Sequence, residues 1–462
     1  MNRLLPLFAC AGAALALHAA RPIPNKALQH RLKDQSTEVF GIVHWGLNTY
    51  TDREWGYGDE DPARLDPKSF DADQIVKACK EGGLGGLVIV AKHHDGFCLW
   101  PSKTTTHNIS KSPFRGGKGD YVKEMEQACR RHGLKFGVYI SPWDRNNAKY
   151  GSPEYVTEVF QGQIRELLGG DYGEVFEMWF DGANGGDGYY GGARERRNIP
   201  DGYYRYQGET FELVRKLQPL VCIFGDGGEF RWPGNERGVL EGDSRATMAS
   251  VSPDSIHLVR KYLNSGTPDG NLFMVAEADF PMRQGWFYHK GQDGRTRCGE
   301  YLMQLYLSSV GNGGVMDIGI APNKDGLLSE EDVASLKRFG FLRKAFFEQP
   351  VKPGSGKPFN VVVMREKLSK GEQIDGWEFL ADGKPILSGK SIGIKRIRVL
   401  GEPIVAKTCE IRVTADGGDL RGADFRCYYV DPKLLNRVMN ATTTNGETDT
   451  AIWMQAGKEG GR

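Results

Sequence analysis

The 462-residue chain has almost no excess of charge: sixty Lys and Arg stand against fifty-nine Asp and Glu, a formal net charge of +1. Without a bias of either sign there is no electrostatic footprint for nucleic acid or for an anionic membrane. A neutral partner is expected, a class that includes sugars. The apolar run that opens the chain, Leu4 to Leu17 behind Arg3, is too short to span a bilayer. With the small residues Ala19 and Ala20 after it, the run reads as a signal peptide over residues 1–20. The protein is therefore expected to be secreted or periplasmic. Paired cysteines are also lacking. Setting Cys10 aside leaves an odd, scattered set: Cys79, Cys98, Cys129, Cys222, Cys298, Cys409 and Cys427. No C-x-x-C pair occurs, so zinc and thioredoxin-type sites have no support. Cys79 and Cys129 fall on apolar helix faces and read as buried free thiols. No metal and no cofactor is expected.

What is present is an alternation of apolar runs and amphipathic segments from residue 28 to 348. The runs Val39–Val43, Gly86–Val90, Phe136–Ile140, Val175–Phe180, Val221–Phe224, Leu272–Val275 and Val315–Gly319 read as buried strands. Helices are expected between them, one with Asp120 as N-cap and Gly133 as its stop, the last beginning after Ser329. Largely apolar strands separated by helices imply a parallel sheet covered on both faces. This number of strands over this length favours a TIM-like (β/α) barrel. A doubly wound open sheet is the alternative, and no Gly-x-Gly-x-x-Gly fingerprint opens a helix to favour it. After Pro350 a Pro- and Gly-rich linker leads to short alternating strands, read as a β-sandwich over residues 358–435. Its one tryptophan, Trp377, is expected in its core. Residues 436–462, polar and rich in Thr and Gly, read as a disordered tail.

In such a barrel, function lies beyond the C-terminal ends of the strands. The polar residues there are His44, then His93-His94-Asp95, then Asp181, Asp226, and the acids Glu277 and Asp279. Aromatic residues flank several of them. Aromatic faces stack on the C–H face of a sugar, and acids and imidazoles bond its hydroxyls. Glycoside cleavage needs two carboxyls. Asp181 is the best-placed nucleophile. Glu54, Glu236, Glu241 and Glu277 compete for the second role, and spacing does not choose among them.

The segments Phe40-Gly41-Ile42-Val43-His44-Trp45-Gly46, Glu54-Trp55-Gly56, Lys92-His93-His94-Asp95-Gly96-Phe97, Trp179-Phe180-Asp181-Gly182 and Arg231-Trp232-Pro233-Gly234-Asn235-Glu236 resemble the motifs of the α-L-fucosidases of glycoside hydrolase family 29. The resemblance implies hydrolysis of terminal α-L-fucose with retention, and fucosylated oligosaccharides or glycoconjugates as partners. It implies Asp181 as nucleophile and Glu236 as general acid/base. The branch it resembles prefers α-1,3- and α-1,4-linked fucose. His44, His93 and His94 are expected to bind sugar hydroxyls, with Glu54 and Trp55 reaching in from a loop. His93 and His94 are not expected to reach the sugar equally, because neighbours on a strand face opposite ways. Trp286 either walls the pocket or packs in the barrel, and Tyr139, at a strand end, is a weaker candidate still. The segment from Tyr189 to Tyr206 departs from the family pattern as a lengthened loop. The rival readings are another barrel glycosidase and a non-catalytic fucose-binding protein.

Overall fold

The computed structural model describes residues 21–199, 206–252, 258–416 and 423–442. The expected signal peptide, and the tail beyond 442, lie outside these described residues. Eight parallel strands close a barrel: β1 (Val39–Val43), β2 (Gly86–Lys92), β3 (Lys135–Ile140), β4 (Glu177–Phe180), β5 (Cys222–Phe224), β6 (Phe230–Arg231), β7 (Val275–Pro281) and β8 (Val315–Ile320). Their order round the barrel follows the chain, and β8 returns to β1, with Val39 opposite Met316 and Val43 opposite Ile320.

Alternation along each strand sets what faces the axis. Phe40 and Ile42, Val88 and Val90, Tyr139, Trp179, Phe224, Val275 and Val315 pack together inside. Val39, Val43, Leu87, Ile89, Met178, Phe180, Met316 and Ile318 face outward under the helices. The same period sends Glu177, Glu277 and Asp317 inward, where all three are wholly buried. The helix Lys26–Lys33 closes the N-terminal end. Its Arg31 meets Glu177 at 3.0 Å and lies 4.2 Å from the centre of the Phe176 ring.

The outer helices start and stop where their caps dictate. Asp120 accepts from the Lys123 N–H, and Gly133 ends that helix at φ +67°. Ser329 accepts from the Asp332 N–H at the head of Glu330–Phe347. Two barrel strands differ from the sequence reading. Leu272–Phe273 is not a barrel strand but pairs antiparallel with Thr247–Met248. The barrel strand is β7, which begins at Val275 and carries Glu277 and Asp279 within it rather than after it. The two-residue β6 has no apolar run to announce it.

Seven further strands follow: β9 (Pro350–Val351), β10 (Phe359–Glu366), β11 (Ile374–Ala381), β12 (Lys384–Gly389), β13 (Arg396–Ile404), β14 (Cys409–Asp416) and β15 (Ala423–Tyr428). They form antiparallel sheets in the orders β9-β15-β10-β13 and β12-β11-β14. Trp377 is buried among Phe359, Val362, Met364 and Phe379, and its indole N–H donates to the Ser391 carbonyl at 3.0 Å. Residues 436–439, read from sequence as tail, are instead the end of a helix, Pro432–Met439, because Leu435 and Val438 are buried against the barrel layer. After β4, Gly185–Gly188 pairs as a hairpin with Glu195–Asn198, and residues 200–205 of the segment read as a lengthened loop, Tyr189 to Tyr206, lie outside the described residues. The seven cysteines of the described residues are free thiols, with Cys79 and Cys129 buried.

Candidate active site

A cavity of about 720 Å³ opens at the C-terminal end of the barrel. β4 delivers Asp181 to it, and β3 delivers Tyr139, whose hydroxyl donates to Asp181 Oδ2 at 2.8 Å. The other carboxylate oxygen accepts the Ala183 N–H at 2.6 Å. Asp181 is thus fixed by one side-chain and one backbone donor while its side chain stays about a fifth exposed to the cavity (21%).

His44 follows β1, and His93 and His94 follow β2; all three line the cavity. The ground for expecting unequal reach from His93 and His94 was strand alternation, and it does not apply where they sit. β2 ends at Lys92, so both sit in the turn beyond it, ring centres 4.1 Å apart, where strand alternation no longer applies. Ser141 spends its hydroxyl proton on the Trp143 carbonyl (2.9 Å), so its oxygen accepts from His94 Nδ1 at 2.7 Å. That network assigns the His94 proton to Nδ1 and leaves Nε2, 3.9 Å from Asp181 Oδ1, as an acceptor. Burial pushes His94 down to about 4 and His44 down to about 3, and holds His93 well below the ordinary imidazole range. The three rings are therefore neutral hydrogen-bonding groups at neutral pH.

The walls are aromatic. Trp179 lies flat on Phe224, with ring centres 3.8 Å apart, and next to Tyr139 at 5.1 Å. Trp55, 45% exposed, stands at the rim with its edge against His94 and Trp143. Trp286 packs on His44 at 5.0 Å and lines the cavity, so it is wall rather than barrel packing. The outer rim continues through Asp226, Trp232, Val259 and Arg260.

The four competing glutamates part ways. Glu236, on the loop after β6, lines the cavity, and its Oε2 accepts the Trp286 indole N–H at 3.2 Å. Burial, with the Asp181 and Glu54 charges adding to it, pushes Glu236 up to about 7 against the pull of that hydrogen bond. Glu241 is exposed and outside the cavity lining. Glu277 is sealed inside the barrel, where its Oε1 accepts the Trp179 indole N–H at 2.7 Å. Glu54 stands behind the wall instead of in it. Its carboxylate accepts the backbone N–H groups of Trp286 (2.9 Å) and Phe287 (3.3 Å).

Asp279 and Asp317 line the floor. Burial first, then neighbouring acids, holds both well above the usual carboxylate range, which favours their neutral forms. Sequence reasoning gave Tyr139 little weight and no role to Asp317 or to Asn48, whose amide donates to His93 Nδ1 at 3.4 Å. For Tyr139 the usable signal was its place near the end of an apolar strand. For the other two no such signal existed. Among the described residues no cluster of His, Cys, Asp and Glu has the arrangement of a metal site.

The family model for alpha-L-fucosidase matches residues 26–345. A protein of Oryza sativa subsp. japonica, provisionally named alpha-L-fucosidase 1, is 37% identical over 412 residues, covering 85% of this chain and 76% of its own length. Alpha-L-fucosidase 1 of Arabidopsis thaliana is 30% identical over 413 residues, covering 86% and 78%. The crystal structure of a glycoside hydrolase 29 family member from an unknown rumen bacterium aligns with a TM-score of 0.81 at 33% identity, over 89% of this chain and 78% of that one. The matched span takes in the whole barrel and every residue named in its cavity: the chain belongs to the alpha-L-fucosidase family of glycoside hydrolases.

Proposed function

We propose that this fucosidase is an exo-acting, retaining enzyme working by double displacement on terminal α-1,3- or α-1,4-linked fucose. The observation that carries the reading is the pair of carboxyls on one cavity. Asp181 is held by two donors and open to the cavity, while Glu236 is kept protonated up to about 7. A nucleophile must be ionised and a general acid must hold a proton, so the two surroundings divide the roles. Asp181 attacks the anomeric carbon and Glu236 protonates the departing oxygen. Glu236 then takes a proton from the water that releases fucose. Retention requires the two carboxyls about 5–5.5 Å apart in the working complex.

His44, His93 and His94 supply neutral donors and acceptors for the hydroxyls. Trp55 and Trp286 supply stacking faces. The apolar wall of Trp179, Phe224 and Ile42 suits the methyl group of fucose better than the hydroxymethyl of galactose. The linkage preference rests on the motif resemblance. Export is proposed from the N-terminal apolar run, and fits a substrate found outside the cytoplasm.

The test is hydrolysis of an aryl α-L-fucoside, a Lewis-type trisaccharide and an α-1,2-fucosylated disaccharide. Wild type should release fucose with retention, seen as the α-anomer first by NMR, and should favour the trisaccharide over the disaccharide. Asp181→Ala should lose at least about a thousandfold, roughly 4 kcal/mol of transition-state stabilisation. First-formed β-anomer would overturn retention, and preference for the disaccharide would overturn the linkage.

A further inference from the structure

The loop after β7 brings Trp286 to the cavity, and something must hold it there. Glu54 does so from behind, by accepting the N–H groups of Trp286 and Phe287. Gly285 makes the approach possible, because a Cβ there would lie 2.2 Å from Glu54 Oε1. The Glu54 carboxylate is fixed in turn by His289, whose Nε2 lies 2.6 Å from Glu54 Oε1. His289 Nδ1 meets Asp52 Oδ1 at 2.7 Å, at the end of the short helix Leu47–Thr51. A carboxylate on each ring nitrogen makes both nitrogens donors, so His289 is an imidazolium. Its hydrogen bond to Glu54 is the chief reason its pKa is raised.

At the other end, the indole has little freedom. It packs on His44, and Gly319 of β8 leaves room for it: a Cβ there would come within 2.8 Å of Trp286 Cε3. Its N–H ends 3.2 Å from Glu236 Oε2. The result is one continuous set of contacts, from Asp52 through His289 and Glu54 to the Trp286 backbone, and from its indole to Glu236.

We propose that His289 is a positioning residue for Glu236: clamped between Asp52 and Glu54, it sets the Trp286 backbone and so fixes where the indole N–H holds the acid/base carboxyl. This rests on Glu236 being the acid/base. A displaced acid hurts most when the departing oxygen needs its proton. It hurts least when the leaving group departs as a stable anion.

The experiment measures kcat/KM for 2,4-dinitrophenyl α-L-fucoside, which needs little acid help, and for the Lewis-type trisaccharide, which needs much. Wild type, His289→Ala, His289→Gln and Glu236→Ala are compared, with thermal melting to confirm folding. Glu236→Ala should lose far more on the trisaccharide than on the dinitrophenyl substrate. His289→Ala should show the same signature at smaller size, about 30-fold on the trisaccharide and under about threefold on the dinitrophenyl fucoside. His289→Gln, which keeps one N–H for Glu54, should recover most of the loss. Equal losses on both substrates, or none on either, in a folded His289→Ala protein would overturn the proposal and leave Glu236 untouched. Absence of the leaving-group signature in Glu236→Ala would bring down the acid/base reading instead, and the positioning role with it.

Discussion

In the proposed mechanism Glu236 must carry a proton at the start of each cycle, and the balance that keeps it there is visible in its neighbours. Burial and the charges of Asp181 and Glu54 favour the neutral form, and the Trp286 N–H opposes them. The neutral acid is the active form, so kcat/KM on the trisaccharide should fall as pH rises through about 7. Trp286→Phe removes the one contact that favours the ionised form, so the alkaline limb should move to higher pH. A limb that moves down in this variant would show that the indole does not hold the carboxyl. The sequence exposed Asp181 and the three histidines because a polar residue directly after an apolar strand is conspicuous, whereas Glu236, five residues beyond the two-residue β6, was reached only through the resemblance of its Gly-Asn-Glu segment. It could not do the same for Asp317, which sits inside an apolar strand and looks like an interruption. Nor could it give Tyr139 its role, since a Tyr facing the barrel interior has the same pattern as core until its hydroxyl is placed 2.8 Å from Asp181.

At the scale of elements, the barrel strands were legible where apolar residues ran together, as in β1, β2 and β3, and β8 was legible because Asp317 alone interrupts it. β7 was misplaced because Glu277 and Asp279 break its apolar pattern, while Leu272–Phe273 just before it offers a better one. The acids inside the barrel are tolerated where burial favours their neutral form or a cation pairs them. Arg31, on the helix that closes the barrel floor, supplies the pairing cation for Glu177 and is itself packed over Phe40, Phe176 and Phe230. Arg31→Met would leave Glu177 buried without its cation, at a cost of about 3–5 kcal/mol. The double variant Arg31→Met with Glu177→Met, which removes both charges from the same space, should recover most of that loss. Urea denaturation midpoints measure both. A single variant as stable as wild type would mean that Glu177 is already neutral and the ion pair contributes nothing.

Over the whole molecule, the change of composition after Pro350 marked a second unit, but nothing in it foretold how tightly that unit joins the first. Glu38, just before β1, accepts from Lys395 at 2.6 Å and from Tyr306 at 2.7 Å and pairs with Arg343 at 3.3 Å. Burial at this junction pushes Lys395 down to about 8. Arg396, wholly buried, donates across the junction to the carbonyls of Gly242 (3.1 Å) and Ser244 (2.8 Å). Val361, Val363, Ile397 and Tyr428 of the sandwich belong to the same apolar cluster as Tyr306, Phe339 and Phe346 under the barrel. Cutting the chain after residue 348 would therefore expose a broad apolar face and strip Glu38 of Lys395. Exposed faces of that kind drive association. The barrel alone should be insoluble, or should melt well below the full chain, even though no residue named in the cavity lies beyond 348. A soluble barrel with undiminished kcat/KM, melting within about 2 °C of the full chain, would make the sandwich an independent appendage. Loss of solubility would make it part of the fold that holds the catalytic strands in register.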